Sequence, residues 1–273
     1  MKIAAYDLPS KKLWSLPEAD RNLLFSLMLA HNELSTLNKL LMYSIKTTLD
    51  DALGEATHIA QTFTILKLLA GKLHETWKLV TKYYTNKLDK RYDLSADIKA
   101  KEAFRALTAY FKGNNVIKVI RDNAAFHYSG FDYGKALKEL ADGEEKVYLA
   151  QHPANTLYYV GEAVNWRALI QKIRDIPEVE KELSAAGEGV EDSIDSRNRS
   201  AFNVLTRHVN DTNGYMHALL YGLIKSVIDK ALGEDWANTE HEMISILGAP
   251  NPYDVAIPTL INIEAAQQPD NSG

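Results

Sequence analysis

Cysteine is absent from this 273-residue chain, which excludes disulfide frameworks, thiolate metal sites and cysteine nucleophiles. Any chemistry must therefore come from His, Arg, Lys, Asp, Glu, Ser, Thr or Tyr. Long apolar runs are missing as well. Stretches such as Leu27 to Ala30 and Ala218 to Tyr221 fall far short of the roughly 20 residues that span a bilayer. The opening Met1 to Asp7 lacks the apolar stretch of a secretory signal, so the expectation is a cytoplasmic protein without a membrane partner. No Gly-x-Gly-x-x-Gly follows a strand, and neither a Walker loop nor a Gly-x-Ser-x-Gly elbow occurs. Nucleotide-driven and serine-hydrolase chemistry thus lack support, and no cofactor is implied. Positive charge is scarce overall, with a net charge of −5, which disfavours indiscriminate binding to nucleic acid. It is concentrated, however: Lys72 to Arg121 holds twelve Lys or Arg against five Asp or Glu. Such a segment suits local phosphate contact, or is simply a solvated lysine-rich face.

What is present is helical periodicity. Ser15-Leu16-Pro17-Glu18 has the form of a capping box opening a long helix whose apolar stripe is Leu23, Leu27, Ala30, Leu34, Leu37, Leu41, Ile45. The next stripe, Ala52, Ala56, Ile59, Phe63, Leu66, Ala70, Leu73, Trp77, Val80, Tyr84, alternates steps of four and three. These patterns predict two antiparallel helices of roughly 45 to 50 Å. Ser95 is placed to cap a third helix running to about Lys112, and Gly113-Asn114-Asn115 supplies a stop and a fresh start. A short fourth helix is buried through Val116, Ile117, Val119 and Ile120, and its apolar stretch ends at Phe126. A helix follows from about Phe131 to Ala141. Lys146 to Ala150 and Thr156 to Val160 read as the strands of a small β-hairpin near 146–160. Helical signal returns from Gly161 to about Arg174, is interrupted at Pro177, and resumes from Thr212 to Leu232 after a loop at Gly187 to Gly189. The expected fold class is mainly α, an antiparallel bundle in a single domain. Its core covers about 17–174, a helical extension 175–248 and an irregular tail 249–273.

The fourth helix carries the most informative string, Ile120-Arg121-Asp122-Asn123-Ala124-Ala125-Phe126-His127-Tyr128. Arg121 can hold a phosphate without changing protonation state, and His127 can give or take a proton near neutral pH. At or just past a helix C-terminus, His127 would meet unpaired carbonyls that favour the imidazolium by roughly 0.3 to 1 kcal/mol. On a regular helix Arg121 and His127 lie about 120° apart, so they converge only at a helix end or across two subunits. Asp122 and Asn123 are placed to orient the imidazole or contact a ribose.

This arrangement resembles the motif of the HEPN superfamily, in which an Arg, usually followed by a polar residue, precedes a His with four to six residues between them; here there are five. The longer string through Tyr128, with the aromatic segments around Tyr148 and Tyr158-Tyr159, is similar to a bacterial branch of that superfamily with an Arg-Asp-x4-His motif. The resemblance covers about Pro17 to Arg174. It implies a helical bundle that forms a homodimer, with two Arg-His pairs lining a shared cleft, often acting as a metal-independent endoribonuclease. Arg121 and His127 are then the catalytic candidates, supported by Asp122, Asn123 and Tyr128, with RNA as substrate. The alternative is a binding module without catalysis, a homodimer or toxin-antitoxin-like partner in which Arg121 pairs with a carboxylate and His127 caps carbonyls.

Other candidates are weaker. Glu55-x-x-His58 fits half of a di-iron pattern, but no second copy occurs and the pair flanks the apolar stripe, so no metal is expected. His31, Glu33 and His241 read as surface residues. Trp14, Trp77, Trp166 and Trp236 read as core or interface anchors, and Tyr83-Tyr84 beside Lys82 and Lys87 as a base-stacking face or as packing.

Overall fold

A computed structural model describes residues 2–5, 8–45, 51–83, 94, 97–126, 130–140, 144–187, 194–232 and 242–245. The architecture is mainly α, as the periodicity predicts. In chain order the described elements are β1 (Lys2–Ala5), α1 (Ser10–Trp14), α2 (Glu18–Ile45), α3 (Ala52–Tyr83), α4 (Ile98–Phe111) and α5 (Val116–Ile120). A π-helical turn (Arg121–Ala125) continues α5, and α6 (Tyr133–Leu137), α7 (Tyr159–Arg174), α8 (Pro177–Gly187), α9 (Ile194–Leu232) and β2 (Glu242–Ser245) follow. The two strands were not expected. They pair antiparallel, Lys2 opposite Ser245 and Ala5 opposite Glu242.

The two early stripes become the seams of α2 and α3, which pack on each other. Leu23, Leu27, Leu34 and Leu41 are buried from α2, and Phe63, Leu66, Ala70, Leu73 and Val80 from α3. Ile59 departs from this pattern. It is 42% exposed while Ala60 takes the inward position, because the buried face of a straight helix drifts around its axis relative to a fixed repeat. Tyr84 and Ser95 lie outside the described residues. The cap of α4 is instead Asp97, whose carboxylate accepts from the Ala100 N–H at 3.0 Å. Asn115 caps α5 as expected, accepting from the Lys118 N–H at 2.9 Å. Ser15, in contrast, does not cap α2. Its hydroxyl turns back to the Lys12 carbonyl and closes α1, while the Pro17 carbonyl receives the Asp20 and Arg21 N–H groups. Trp14 is no core anchor either. It is 70% exposed, with the Arg21 guanidinium 4.3 Å over its ring. Trp77 and Trp166 do anchor packing, on Phe111 and Phe63 respectively.

Helix α9 starts 18 residues earlier than the Thr212 boundary read from periodicity. Ala201, Val204, Leu205 and Val209 carry its buried stripe into Met216, Leu219, Leu220 and Leu223. Two buried polar residues, Thr212 and Asn213, break the apolar pattern midway and hide the continuity. One apolar cluster accordingly runs from Leu16 to Ile228, so the segment after 175 contributes to the same core as the segment before it. Pro177 opens α8 rather than a loop, at the first helical position where its missing N–H costs nothing.

The expected hairpin near 146–160 is not formed. Tyr148 and Leu157 form an isolated bridge with N–H···O bonds of 2.8 Å in both directions, and the Val160 N–H reaches the Lys146 carbonyl at 3.0 Å, but Pro153–Asn155 makes a 3₁₀ turn and Tyr159 already begins α7. Val147, Leu149 and Tyr158 point to solvent, so the segment has no apolar face to bury, and an isolated pair of strands is marginal without one. The helix expected over 131–141 shrinks to Tyr133–Leu137, capped by Asp132.

Helix α4 lies tightly on α9. A Cβ built at Gly222 would sit 2.4 Å from the Ala100 Cβ and 3.2 Å from Asp97 Oδ2, so only glycine allows this approach. Gly222→Val is expected to cost about 1 to 3 kcal/mol through overpacking, read as a lower urea midpoint with an unchanged m-value. A midpoint equal to wild type would show that α4 yields without cost.

His31 is not a surface residue. Its ring meets that of His217 edge-on across α2 and α9, with centroids 4.7 Å apart. Burial first, then His31 and Lys39, push His217 down to about 4. Because the unfolded imidazole titrates near 6.5, the unfolded chain binds the extra proton between pH 6.5 and about 4. The contribution is therefore full above pH 6.5 and is lost as pH falls through about 4. After allowance for solvent screening of a half-buried ring it is on the order of 1 to 2 kcal/mol. His217→Leu should flatten the stability difference between pH 7 and pH 4.5 relative to wild type; an identical pH dependence would refute the assignment.

Candidate functional site

The motif's geometry begins with Asn115. Buried and fully engaged, its side chain starts α5 and also donates to the Tyr110 and Gly113 carbonyls, at 3.3 and 3.2 Å. Val116, Ile117, Val119 and Ile120 then fix α5 in the core, which delivers Arg121 to the surface beside α3. There the helix widens into the π turn. The Asn123 amide donates to the Val119 carbonyl at 2.8 Å, a side-chain bond that competes with the regular backbone ladder. Single π turns recur at functional sites, and the 120° offset read from a regular helix does not apply across this one.

Arg121 is held on three nitrogens. Nε and Nη2 both lie 2.9 Å from Glu75 Oε1, and Nη1 is 2.8 Å from Asp122 Oδ1. Its side chain stays 26% exposed. Glu75 also meets Lys78 Nζ at 3.3 Å and His74 Nδ1 at 3.7 Å. Helix α3 thus presents His74, Glu75 and Lys78 toward the π turn. Burial acts to raise the Glu75 carboxyl, but hydrogen bonds from Lys78 and Arg121 outweigh it and hold the group below the usual carboxylate range. The Asp122 hydrogen bond, and then Glu75, raise Arg121 further. Burial lowers His74, with Lys78 and Arg121 acting in the same direction. His74 Nδ1 is buried without a hydrogen bond, which like the nearby cations disfavours the imidazolium.

Of the residues singled out from sequence, Arg121, Asp122 and Asn123 are thereby placed; His127 and Tyr128 lie outside the described residues. Phe126, just before that pair, and Gly130, two positions after it, are both anchored. The Phe126 ring rests on Gly71 of α3, where a Cβ would come within 2.5 Å of it. Gly130 has φ +88, a left-handed conformation that suits glycine, and packs against Asn123. The Gly130 carbonyl accepts from Lys172 Nζ of α7 at 2.8 Å. Asp122 accepts from Arg121 through Oδ1, and Asn123 donates through its amide nitrogen to the Val119 carbonyl.

Glu75, His74 and Lys78 escaped the sequence reading. Glu75 lies 46 residues before Arg121, and no local pattern announces such a pair. The basic segment is also less open than its composition suggests, because Lys72 pairs with Glu33, Lys78 with Glu75 and Arg121 with both acids. Lys82 lies 5.4 Å over the Tyr83 ring, while Tyr84 and Lys87 are outside the described residues. Glu55 is exposed, and among the described residues no three His, Asp or Glu side chains gather as metal ligands would. Among those residues no helix is long and apolar enough to cross a membrane. Comparison with family models, curated proteins and solved structures finds no match to this chain.

Proposed function

We propose that the chain is a HEPN-like protein that binds and cleaves RNA without a metal, with Arg121 on the scissile phosphate and His127 as acid or base. The cleft is completed by a second copy of the chain. The observation that carries this reading is the fork Glu75 imposes on Arg121: two donors are fixed on one carboxylate oxygen while the side chain remains partly open to solvent. A guanidinium oriented in advance loses little freedom on meeting a phosphate. The Nη1 contact to Asp122 joins adjacent, partly exposed side chains and is weak enough for a phosphate oxygen to replace it.

A second reading, a binding module without catalysis that pairs with itself or with an antitoxin-like partner, is favoured by the same cluster in one respect. Each guanidinium nitrogen already has a carboxylate, as a purely structural clamp between α3 and the π turn would require. Incubation of purified protein with single-stranded RNA in excess chelator separates the two. Cleavage that persists with chelator and falls strongly in Arg121→Ala supports the enzyme. Absence of cleavage, with Arg121→Ala merely less stable, supports the binding module.

A further inference from the structure

A second polar constellation lies away from the motif, where α4, α8 and α9 meet around a cavity of about 220 Å³. His208 of α9 is its pivot. Its Nε2 is 3.1 Å from Glu182 Oε2 of α8, and its Nδ1 is 3.4 Å from the Tyr110 hydroxyl of α4. The backbone of Ile117, the Thr212 side chain and the backbone of Val116 hydrogen-bond to the same phenol, which fixes it in the wall. Arg207 donates to that carboxylate as well.

This chain of bonds resembles a proton relay, but its ends are closed. Both nitrogens of His208 are occupied, and the Tyr110 phenol is pushed up to about 12, by burial above all. Glu182 is shared between His208 and Arg207. Neither ring nitrogen of His208 is left to activate a substrate in this state. Their joint effect is to hold the wall of the cavity rigid.

The open valences belong to Asp211 and Tyr215. Asp211 lines the cavity one helical turn beyond Arg207, yet among the described residues it has neither an ion pair nor a hydrogen bond. The guanidinium that would have answered it is turned to Glu182. Of the two carboxylates on the wall, Glu182 is engaged by Arg207 and His208, and Asp211 is left over. Tyr215 follows Asp211 by four residues, so the two share a face of α9, and its ring is half-exposed. Ala106 and Leu107 of α4 supply apolar lining opposite. Asp211 and Tyr215 also line an adjoining groove of about 400 Å³, which gives this pair access from solvent.

We propose that this cavity binds an aliphatic ammonium group, the cation seated on Asp211 against the Tyr215 ring and the hydrocarbon stem on Ala106 and Leu107. An unpaired carboxylate supplies the charge, an aromatic face adds cation–π attraction, and a narrow apolar floor fits an alkyl chain. A free amine and the lysine side chain of a peptide offer the same chemistry. The occupant is independent of the Arg121 site.

The test is titration of the full chain, followed by amide NMR shifts, with n-butylammonium, with Nα-acetyl-lysine methylamide, and with butyrate as the anionic control at equal ionic strength. The expected result is saturable shifts at Asp211, Thr212 and Tyr215 with one or both cations and none with butyrate. Tighter binding of butylammonium assigns the site to free amines, and tighter binding of the lysine derivative assigns it to peptides. Asp211→Asn should raise Kd at least about tenfold and Tyr215→Leu several-fold, both with unchanged circular dichroism. Absence of saturation with either cation, equal shifts with butyrate, or an unchanged Kd in Asp211→Asn would overturn the proposal.

Discussion

His127→Ala is expected to reduce RNA cleavage by about 10²- to 10⁴-fold, the usual worth of a positioned acid or base. Attack by a 2′-hydroxyl needs its proton removed, charge on the phosphorane stabilised and the leaving oxygen protonated. Arg121 can serve the charge but not the protons, because its guanidinium stays ionised and its neighbours raise its pKa further. His74 lies near Arg121, but its Nδ1 is buried without a hydrogen bond and its ring meets Phe111 of α4, so it is poorly placed to reach a ribose. On the proposed reading the proton work falls to His127, which follows Phe126, packed on Gly71, and precedes Gly130, packed on Asn123 and bonded to Lys172.

The control is thermal unfolding of the same variant. A histidine that only caps carbonyls would cost roughly 0.3 to 1 kcal/mol and leave cleavage unchanged. A catalytic one loses activity with little change in melting. Arg121→Lys adds a second discriminator, since a single ammonium cannot bridge Glu75 and a phosphate as a fork does, and activity should drop although charge is preserved. Full activity in His127→Ala would remove the motif from any catalytic account.

Much of the fold was legible because burial imposes a period. Leu23 to Leu41 and Phe63 to Val80 repeat at three and four residues over a length no other structure tolerates, and they became the α2–α3 seam. The readings that failed did so where a local feature competes with that period. Thr212 and Asn213 are buried polar residues inside α9, and a hydropathy pattern registers them as its start. Ser15 had two helices within reach of its hydroxyl and bonded to the preceding one. The 146–160 segment alternates like strands, but alternation specifies a sheet only where one face is covered, and Leu149 and Tyr158 are exposed.

The candidate site divides in the same way. Arg121, Asp122 and Asn123 were found because they are contiguous, and Asn115 because caps have a compositional signature. The π turn was not, since it arises from the particular bond between Asn123 and the Val119 carbonyl. Glu75 was not, since its partner is on another helix. Sequence alone showed what Arg121 could do and omitted what holds it. The omitted half decides between a clamp and a catalyst, because a guanidinium on Glu75 alone is oriented, whereas one saturated by both acids is neutralised.

Arg167→Ala is expected to cost about 3 to 5 kcal/mol, the usual penalty for removing one partner of a buried ion pair. Arg167 projects from α7 with only 3% of its side chain exposed, donating through Nε to the Glu139 carbonyl at 2.7 Å and pairing through Nη2 with the Glu144 carboxylate. Both partners belong to the stretch that follows α6, which has few buried apolar residues of its own; Leu137, Val147 and Leu149 are all exposed. The guanidinium therefore substitutes for a hydrophobic core there, tying residues 133–148 to α7. Alanine would take a charge-assisted donor away from the part-buried Glu139 carbonyl and a cation away from the largely buried Glu144 carboxylate, at a cost that lost packing alone would not reach. At about 2 to 4 °C per kcal/mol for a chain of this size, the melting temperature should fall by roughly 6 to 20 °C. Adding Glu144→Gln should recover part of the loss, because the charge left behind is removed even though the bond to Glu139 is not restored. A drop below 1 kcal/mol would mean that water reaches the pair. Because Lys172 on the same helix holds the Gly130 carbonyl, loosening this stretch should also release the segment that follows His127, so Arg167→Ala should impair cleavage even at temperatures where it remains folded.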